Sequence, residues 1–299
     1  MLQVRLQAQN TRRTITAFLF LAIPLFLYLA FVIAPVFYSF YFSFTDWNGA
    51  SATYHYVGLR NFQMAFHAEY FWNALKNNAI WTLIFIAFPT VLGLILAKMV
   101  DRLRGENLFK TIIYLPMTFS FVVVGLIWSW IYLPQSGMLN LALDTIGLGI
   151  LKRAWLADPA TVLYAIIGAA AWQQTGFAMV LYLAGLRGVP LEVLEAAQVD
   201  GANGWQEFWK IIFPLLRTTT AVVISITVIN SLRVFDLVYI MTQGGPNRAS
   251  EVLGSLIYKE LFWNFRVGYG SALSIILFLF TLVIIIFYFR TVFKKEVEY

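Results

Sequence analysis

The side chains able to do chemistry fall into three groups. Gln173 and Gln174 stand side by side next to Trp172, and Thr227, Asn230, Ser231 and Val234 recur at spacings of three and four, which puts them on one helical face. Neutral amides and hydroxyls beside an aromatic ring suit a polyhydroxy solute, whose hydroxyls need hydrogen-bond partners; the same groups also serve to bond neighbouring helices in a membrane. Arg233 and Asp236, at i and i+3, form either a structural ion pair or, if the guanidinium faces a pore, a contact for an anion. The third group is acidic: Glu192, Glu195, Asp200 and Glu207 lie between Gly188 and Trp209 without one Lys or Arg. Enzyme chemistry finds little support. With 0 Cys there is no thiolate nucleophile or ligand, and 2 His, His55 and His67, cannot build a multi-histidine metal site. No Gly-Lys dipeptide occurs, so a phosphate-binding G-x-x-x-x-G-K-[ST] loop is absent.

The elements that must position these groups are spanning helices. The 299 residues are 60% hydrophobic, 17% aromatic and 12% charged, too apolar for a water-soluble fold to bury. The net charge of +6 comes from 21 Lys and Arg scattered between apolar runs, without the contiguous stripe that nucleic acid requires. Six runs are long enough to cross a bilayer: about 17–40, 77–99, 109–133, 160–186, 211–240 and 269–290. The first follows Arg12 and Arg13 and contains Pro24 and Pro35; its length and lack of a small-residue cleavage site make it a retained helix. The prolines within spans, including Pro89, are expected to kink them. With both termini in the cytoplasm, thirteen Lys and Arg lie inside and seven outside, as the positive-inside rule favours. The expected organisation is a cytoplasmic segment 1–16, a six-span domain 17–290 with a cytoplasmic loop 188–210, and a cytoplasmic tail 291–299.

That loop departs from the charge rule. Pro190 suits a first helical turn, and Leu191, Leu194 and Ala197 recur at helical spacing. Gly201 can end the helix in a left-handed conformation, and Asn203 with Gln206 forms a capping box for a second helix bearing Trp205, Phe208 and Trp209. Two readings fit: a linker lying on lipid headgroups, or an acidic bent knob for a groove in a cytoplasmic protein.

The segment EAAQVDGANGWQEFWKIIFP, Glu195 to Pro214, resembles the EAA loop of permease subunits in binding-protein-dependent ABC importers, with Glu195, Ala196, Ala197, Gly201, Ile211 and Pro214 on the pattern and Phe213 where it has Leu. The Asp200–Ala202 triplet, TQGGP from Thr242, SFTDW from Ser43, VGLRNF from Val57 and YLP from Tyr114 are similar to the carbohydrate branch, to maltose-type and glycerol-phosphate-type first permeases. The resemblance implies an all-α, six-span, type I importer permease in a prokaryotic cytoplasmic membrane, non-catalytic and binding no cofactor. It implies a second homologous permease, two ATPase subunits that use ATP and Mg, and an external solute-binding protein. It assigns Glu195 as polar anchor on the ATPase, Ala196 and Ala197 as its close-packing face, Gly201 as hinge, with Asp200 and Pro214 in the same coupling segment. It also places the solute, a sugar or a glycerol-phosphate compound, at mid-membrane between the two permeases without fixing residues, and the polar side chains Gln173, Gln174, Thr227, Asn230 and Ser231 are this chain's candidates to line that path. A stand-alone carrier would show coupling carboxylates at mid-membrane, and a membrane-embedded enzyme a convergent nucleophile and base; neither accounts for the acidic loop.

Overall fold

The computed structural model describes residues 18–101 and 103–293, so the terminal segments 1–16 and, for the most part, 291–299 fall outside the described residues. In chain order the helices are α1 (Phe18–Phe42), α2 (Arg60–His67), α3 (Glu69–Val100), α4 (Glu106–Thr118), α5 (Phe121–Ile131), α6 (Met138–Thr145), α7 (Val162–Arg187), α8 (Leu191–Val199), α9 (Gly204–Leu215), α10 (Arg217–Leu232), α11 (Asp236–Thr242), α12 (Leu253–Tyr258) and α13 (Val267–Phe293). Among the described residues the only β element is an isolated bridge between Thr45 and Tyr56. Four helices, α1, α3, α7 and α13, are long and apolar enough to cross a bilayer, and the count reaches six if the bent pairs α4–α5 and α9–α10 each cross once.

The run 211–240 is not one helix. It bends by 64° between α9 and α10, where Leu216 leaves helical geometry, and breaks again at Arg233–Phe235, with Phe235 at φ −149°. The run 109–133 likewise bends by 102° at Phe119 and Ser120. Periodicity reports apolar length but not direction, so neither bend shows in the pattern. Two prolines leave a local mark: π-helical turns at Leu29–Ile33 and Phe208–Ile212 end immediately before Ala34-Pro35 and Phe213-Pro214. A proline has no N–H and crowds the preceding turn, and the wider turn relieves that conflict. Pro89, by contrast, lies within an uninterrupted α3.

Two compact units form. One takes in the described chain up to His67 with Ile257–Ile276; the other comprises Ala68–Leu256 with the chain from Leu277. In the first unit no residue of the apolar stretch of α1 is fully buried. Asn61 donates to the carbonyls of Ser43 and Thr45 at 2.9 and 2.8 Å and ties the loop after α1 to α2. Glu260, only 2% exposed, is held by Arg266 through Nε at 2.8 Å and Nη2, and by Asn264 at 3.1 Å.

The second unit is organised around α7, whose buried face packs on α3, α5 and α10. Small residues permit this contact, as is usual for helices without a hydrophobic drive between them. A Cβ at Gly93 would fall 2.6 Å from that of Ala178, and one at Gly176 would run into the Ile113 carbonyl. One core cluster gathers Trp81, Phe85, Val124, Ile166 and Leu237, and another Ala97, Met179, Tyr182, Ile212 and Leu216. Asparagines on α3 hold the chain after α11: Asn77 donates to the carbonyls of Ala249 and Glu251, and Asn78 accepts from Leu253 N–H at 2.8 Å. Arg187 at the end of α7 grips both oxygens of Glu106 at the start of α4, at 2.8 and 2.7 Å.

Candidate functional site

The acidic loop folds as its residues dictate. Helix α8 ends in a complete Schellman turn: Ala202 N–H bonds Ala197 C=O at 2.9 Å, Gly201 N–H bonds Gln198 C=O at 3.1 Å, and Gly201 takes φ +81°. Asn203 then opens α9 with a reciprocal capping box, accepting from Gln206 N–H at 2.9 Å while Gln206 Oε1 accepts from Asn203 N–H at 3.1 Å. Pro190 stands one residue before α8 instead of inside its first turn.

The faces of α8 differ in part from the expected assignment. Leu194 points inward and Ala197 is only 8% exposed, so Ala197 packs within the chain and is not on an outward docking face. Ala196 is exposed, as are Glu192, Val193, Val199 and Asp200. Glu195 and Gln198 line a cleft of about 600 Å³ with Lys98, Asp101 and Glu207. Around Gly201 a built Cβ meets nothing within 4 Å. The demand for glycine there is conformational in the chain by itself, and no steric conflict accompanies it. Pro214 lies within α9 and is exposed.

A second cavity, about 290 Å³, opens where α10 breaks into α11. Its polar lining is Gln174 from α7, Asn230 from α10, Arg233 from the break and Asp236 from the start of α11; Trp81, Phe85, Phe121 and Phe235 supply rings. The break makes the site: an unbroken helix would carry Val234 and Phe235 onward with the same backbone direction, whereas here residues 230 and 233–237 all reach one cavity. No ion pair joins Arg233 to Asp236 among the described residues, which corrects the expected i,i+3 pair, because the backbone between them is not helical. Both side chains are exposed to the cavity mouth.

Three of the residues expected to line the path do not. Gln173 turns away and donates to Phe119 C=O at 2.7 Å, satisfying the carbonyl exposed by the bend between α4 and α5. Thr227 is fully buried and accepts from Gln174 Nε2 at 3.2 Å, so it orients a lining residue without being one. Ser231, also buried, donates to Val228 C=O at 2.8 Å and lies 3.0 Å from Thr82 Oγ1, as an interhelical bond. Trp81, Phe85 and Phe121 escaped the sequence reading, because nothing separates a cavity-lining aromatic from a lipid-facing one in so aromatic a chain.

The sequence profile of the family described as "Binding-protein-dependent transport system inner membrane component" matches residues 89–299. A protein of Pyrococcus horikoshii named "Probable ABC transporter permease protein" is 40% identical over 279 residues, covering 93% of this chain and 96% of the relative. The alpha-glucoside transport system permease protein of Rhizobium meliloti is 36% identical over 293 residues, covering 95% and 84%. In fold, the chain is similar to one in the crystal structure of a bacterial ABC transporter that imports the acidic polysaccharide alginate, with a TM-score of 0.85, 24% identity and coverage of 96% and 98%.

Proposed function

The chain belongs to the binding-protein-dependent transport system inner membrane component family, and we propose that it forms half of a sugar-conducting pore in a prokaryotic cytoplasmic membrane. It is a multi-pass permease subunit of a sugar ABC importer. In this reading a second homologous permease completes the pore, an external binding protein delivers the solute, and two cytoplasmic ATPase subunits bind and hydrolyse ATP with Mg. Closure of the ATPases moves α8 and, through it, the helices around the cavity. Glu195 and Gly201 belong to the coupling segment with Ala196, Asp200 and Pro214.

The observation that carries the reading is the cavity at the α10–α11 break. Gln174 and Asn230 offer amides that both donate and accept, and Trp81, Phe85, Phe121 and Phe235 offer ring faces, the combination that a sugar's hydroxyls and CH faces require. An open cavity of about 290 Å³ in a single chain is the size of half a site for a di- or oligosaccharide, the remainder coming from the second permease. Arg233 supports a second reading. A guanidinium that lines the cavity with no carboxylate partner among the described residues favours a glycerol-phosphate compound or another anion.

The test is uptake by the reconstituted assembly. Gln174→Ala and Asn230→Ala should each lower the apparent affinity for solute while ATPase activity in detergent persists, and Gln173→Ala should alter stability in place of affinity. Arg233→Gln separates the two substrates: transport of a neutral oligosaccharide survives it, and transport of an anion does not. If Gln174→Ala and Asn230→Ala both transport with wild-type affinity, the cavity is not the solute site.

A further inference from the structure

The apolar residues of α9 form two adjacent columns, which meet where the Phe208 ring lies 5.2 Å from that of Trp209 and 6.3 Å from that of Phe213. Its inner column, Phe208, Ile212 and then Leu216, packs into the core cluster around Tyr182 and Met179, with Ile212 at 2% and Leu216 at 1% exposure. Its outer column runs Trp205, Trp209, Phe213 at steps of four, with ring centroids 5.6 and 5.1 Å apart, and these side chains are 73%, 45% and 39% exposed. A helix at a water-facing surface carries one apolar stripe and a polar opposite face. Here the stripe is wider than the core contact: the inner column is covered, and the outer column of three large aromatics is left exposed and needs a non-aqueous neighbour.

Charge identifies that neighbour. The acidic residue of α9, Glu207, is turned away from the outer column, half-buried and bonded by Gln198 at 3.3 Å. The exposed charges beside the column are basic, Lys210 on α9 and Arg217 at the start of α10. Trp and Phe beside Lys and Arg are the residues that partition into the headgroup–acyl boundary and meet its anionic phosphates. The outward face of α8 is of the opposite kind, with Glu192 and Asp200 beside Val193 and Val199.

We infer that α9 is an interfacial membrane anchor whose Trp205, Trp209 and Phe213 lie in the bilayer boundary, while the outward face of α8 is the one offered to a soluble protein. The lipid-facing and protein-facing readings of the acidic loop are then both correct, for different helices. The inference shares with the proposed function only the placement of the chain in a bilayer.

Because the chain has 0 Cys, single cysteines can be placed without a background. The complete assembly of both permeases and the ATPases, in nanodiscs containing anionic lipid, would carry a nitroxide at Trp205→Cys, Trp209→Cys, Val193→Cys or Val199→Cys. Collision with oxygen, which dissolves in lipid, is compared with collision with a water-soluble nickel chelate. The oxygen-to-nickel ratio at 205 and 209 is expected to exceed that at 193 and 199 several-fold and not to change when the ATPases are removed. Phe213→Cys reads the same column should a tryptophan variant fail to assemble. A ratio at 205 and 209 as low as at 193 and 199 overturns the anchor, as does shielding from both agents that vanishes when the ATPases are removed. Labels at 193 and 199 serve as the independent control: insensitivity of these two to the ATPases refutes the coupling role of α8 and leaves the anchor untouched.

Discussion

Replacing Gly201 should cost backbone strain and nothing else within this chain. The residue closes the Schellman turn at φ +81°, and a Cβ added there meets no atom within 4 Å. An L-residue in the left-handed region costs about 1–2 kcal/mol, partly offset because alanine also loses about 0.4–1 kcal/mol less chain entropy on folding. Gly201→Ala should therefore lose about 1 kcal/mol of stability, near a fivefold change in the folding equilibrium. Asparagine tolerates that region better than alanine although it is larger, and valine tolerates it worse than either. The expected order is Gly, Asn, Ala, Val, read as thermal unfolding of the purified permease in detergent. Affinity for the ATPase, measured in parallel on the same four proteins, follows the same order if the turn alone matters to docking. An alanine variant as stable as wild type would refute the conformational argument. An asparagine variant less stable than alanine would show that space, and not φ, governs the position.

Two further expectations concern the first unit. Arg266→Ala leaves Glu260 buried with Asn264 as its remaining side-chain donor and should destabilise by about 3 kcal/mol, the low end for a broken buried pair because the arginine is 43% exposed; adding Glu260→Gln should recover much of the loss in chemical denaturation, and no recovery would mean that arginine packing, not charge, was lost. Asp46 accepts the His55 backbone N–H at 2.7 Å, and that bond holds its carboxyl below the usual aspartate value. A lowered folded pKa means that the contribution is present above the unfolded value and is lost as the pH falls through the folded one; carboxyl NMR should show a depressed midpoint that returns to normal in a short peptide spanning 44–57, and an ordinary midpoint in the folded chain would contradict the clasp.

Much of the acidic loop was legible because its signals are local. A capping box needs Asn203 and Gln206 three residues apart, and a Schellman turn needs a residue such as Gly201 that accepts a left-handed backbone, so four or five consecutive residues determine each. The face of α8 was less legible. Ala196 and Ala197 are identical in type and adjacent, and only the packing of α8 against its neighbours makes one exposed and the other buried.

The same division separates membrane class from substrate path. Composition and six apolar runs made this chain a helical membrane protein on their own, since a bilayer imposes a length and a polarity that any spanning segment must meet regardless of its neighbours. Where Gln173, Gln174, Thr227, Asn230 and Ser231 point was decided only by tertiary structure. Periodicity placed them on helices, but the bend at Phe119 gave Gln173 a carbonyl to satisfy, and the break after Leu232 turned Asn230, Arg233 and Asp236 toward one cavity. The groups at those bends are met by residues far apart in the chain, Gln173 at the Phe119 carbonyl and Asn78 at the Ser231 carbonyl across 153 positions, and no local pattern encodes such pairings.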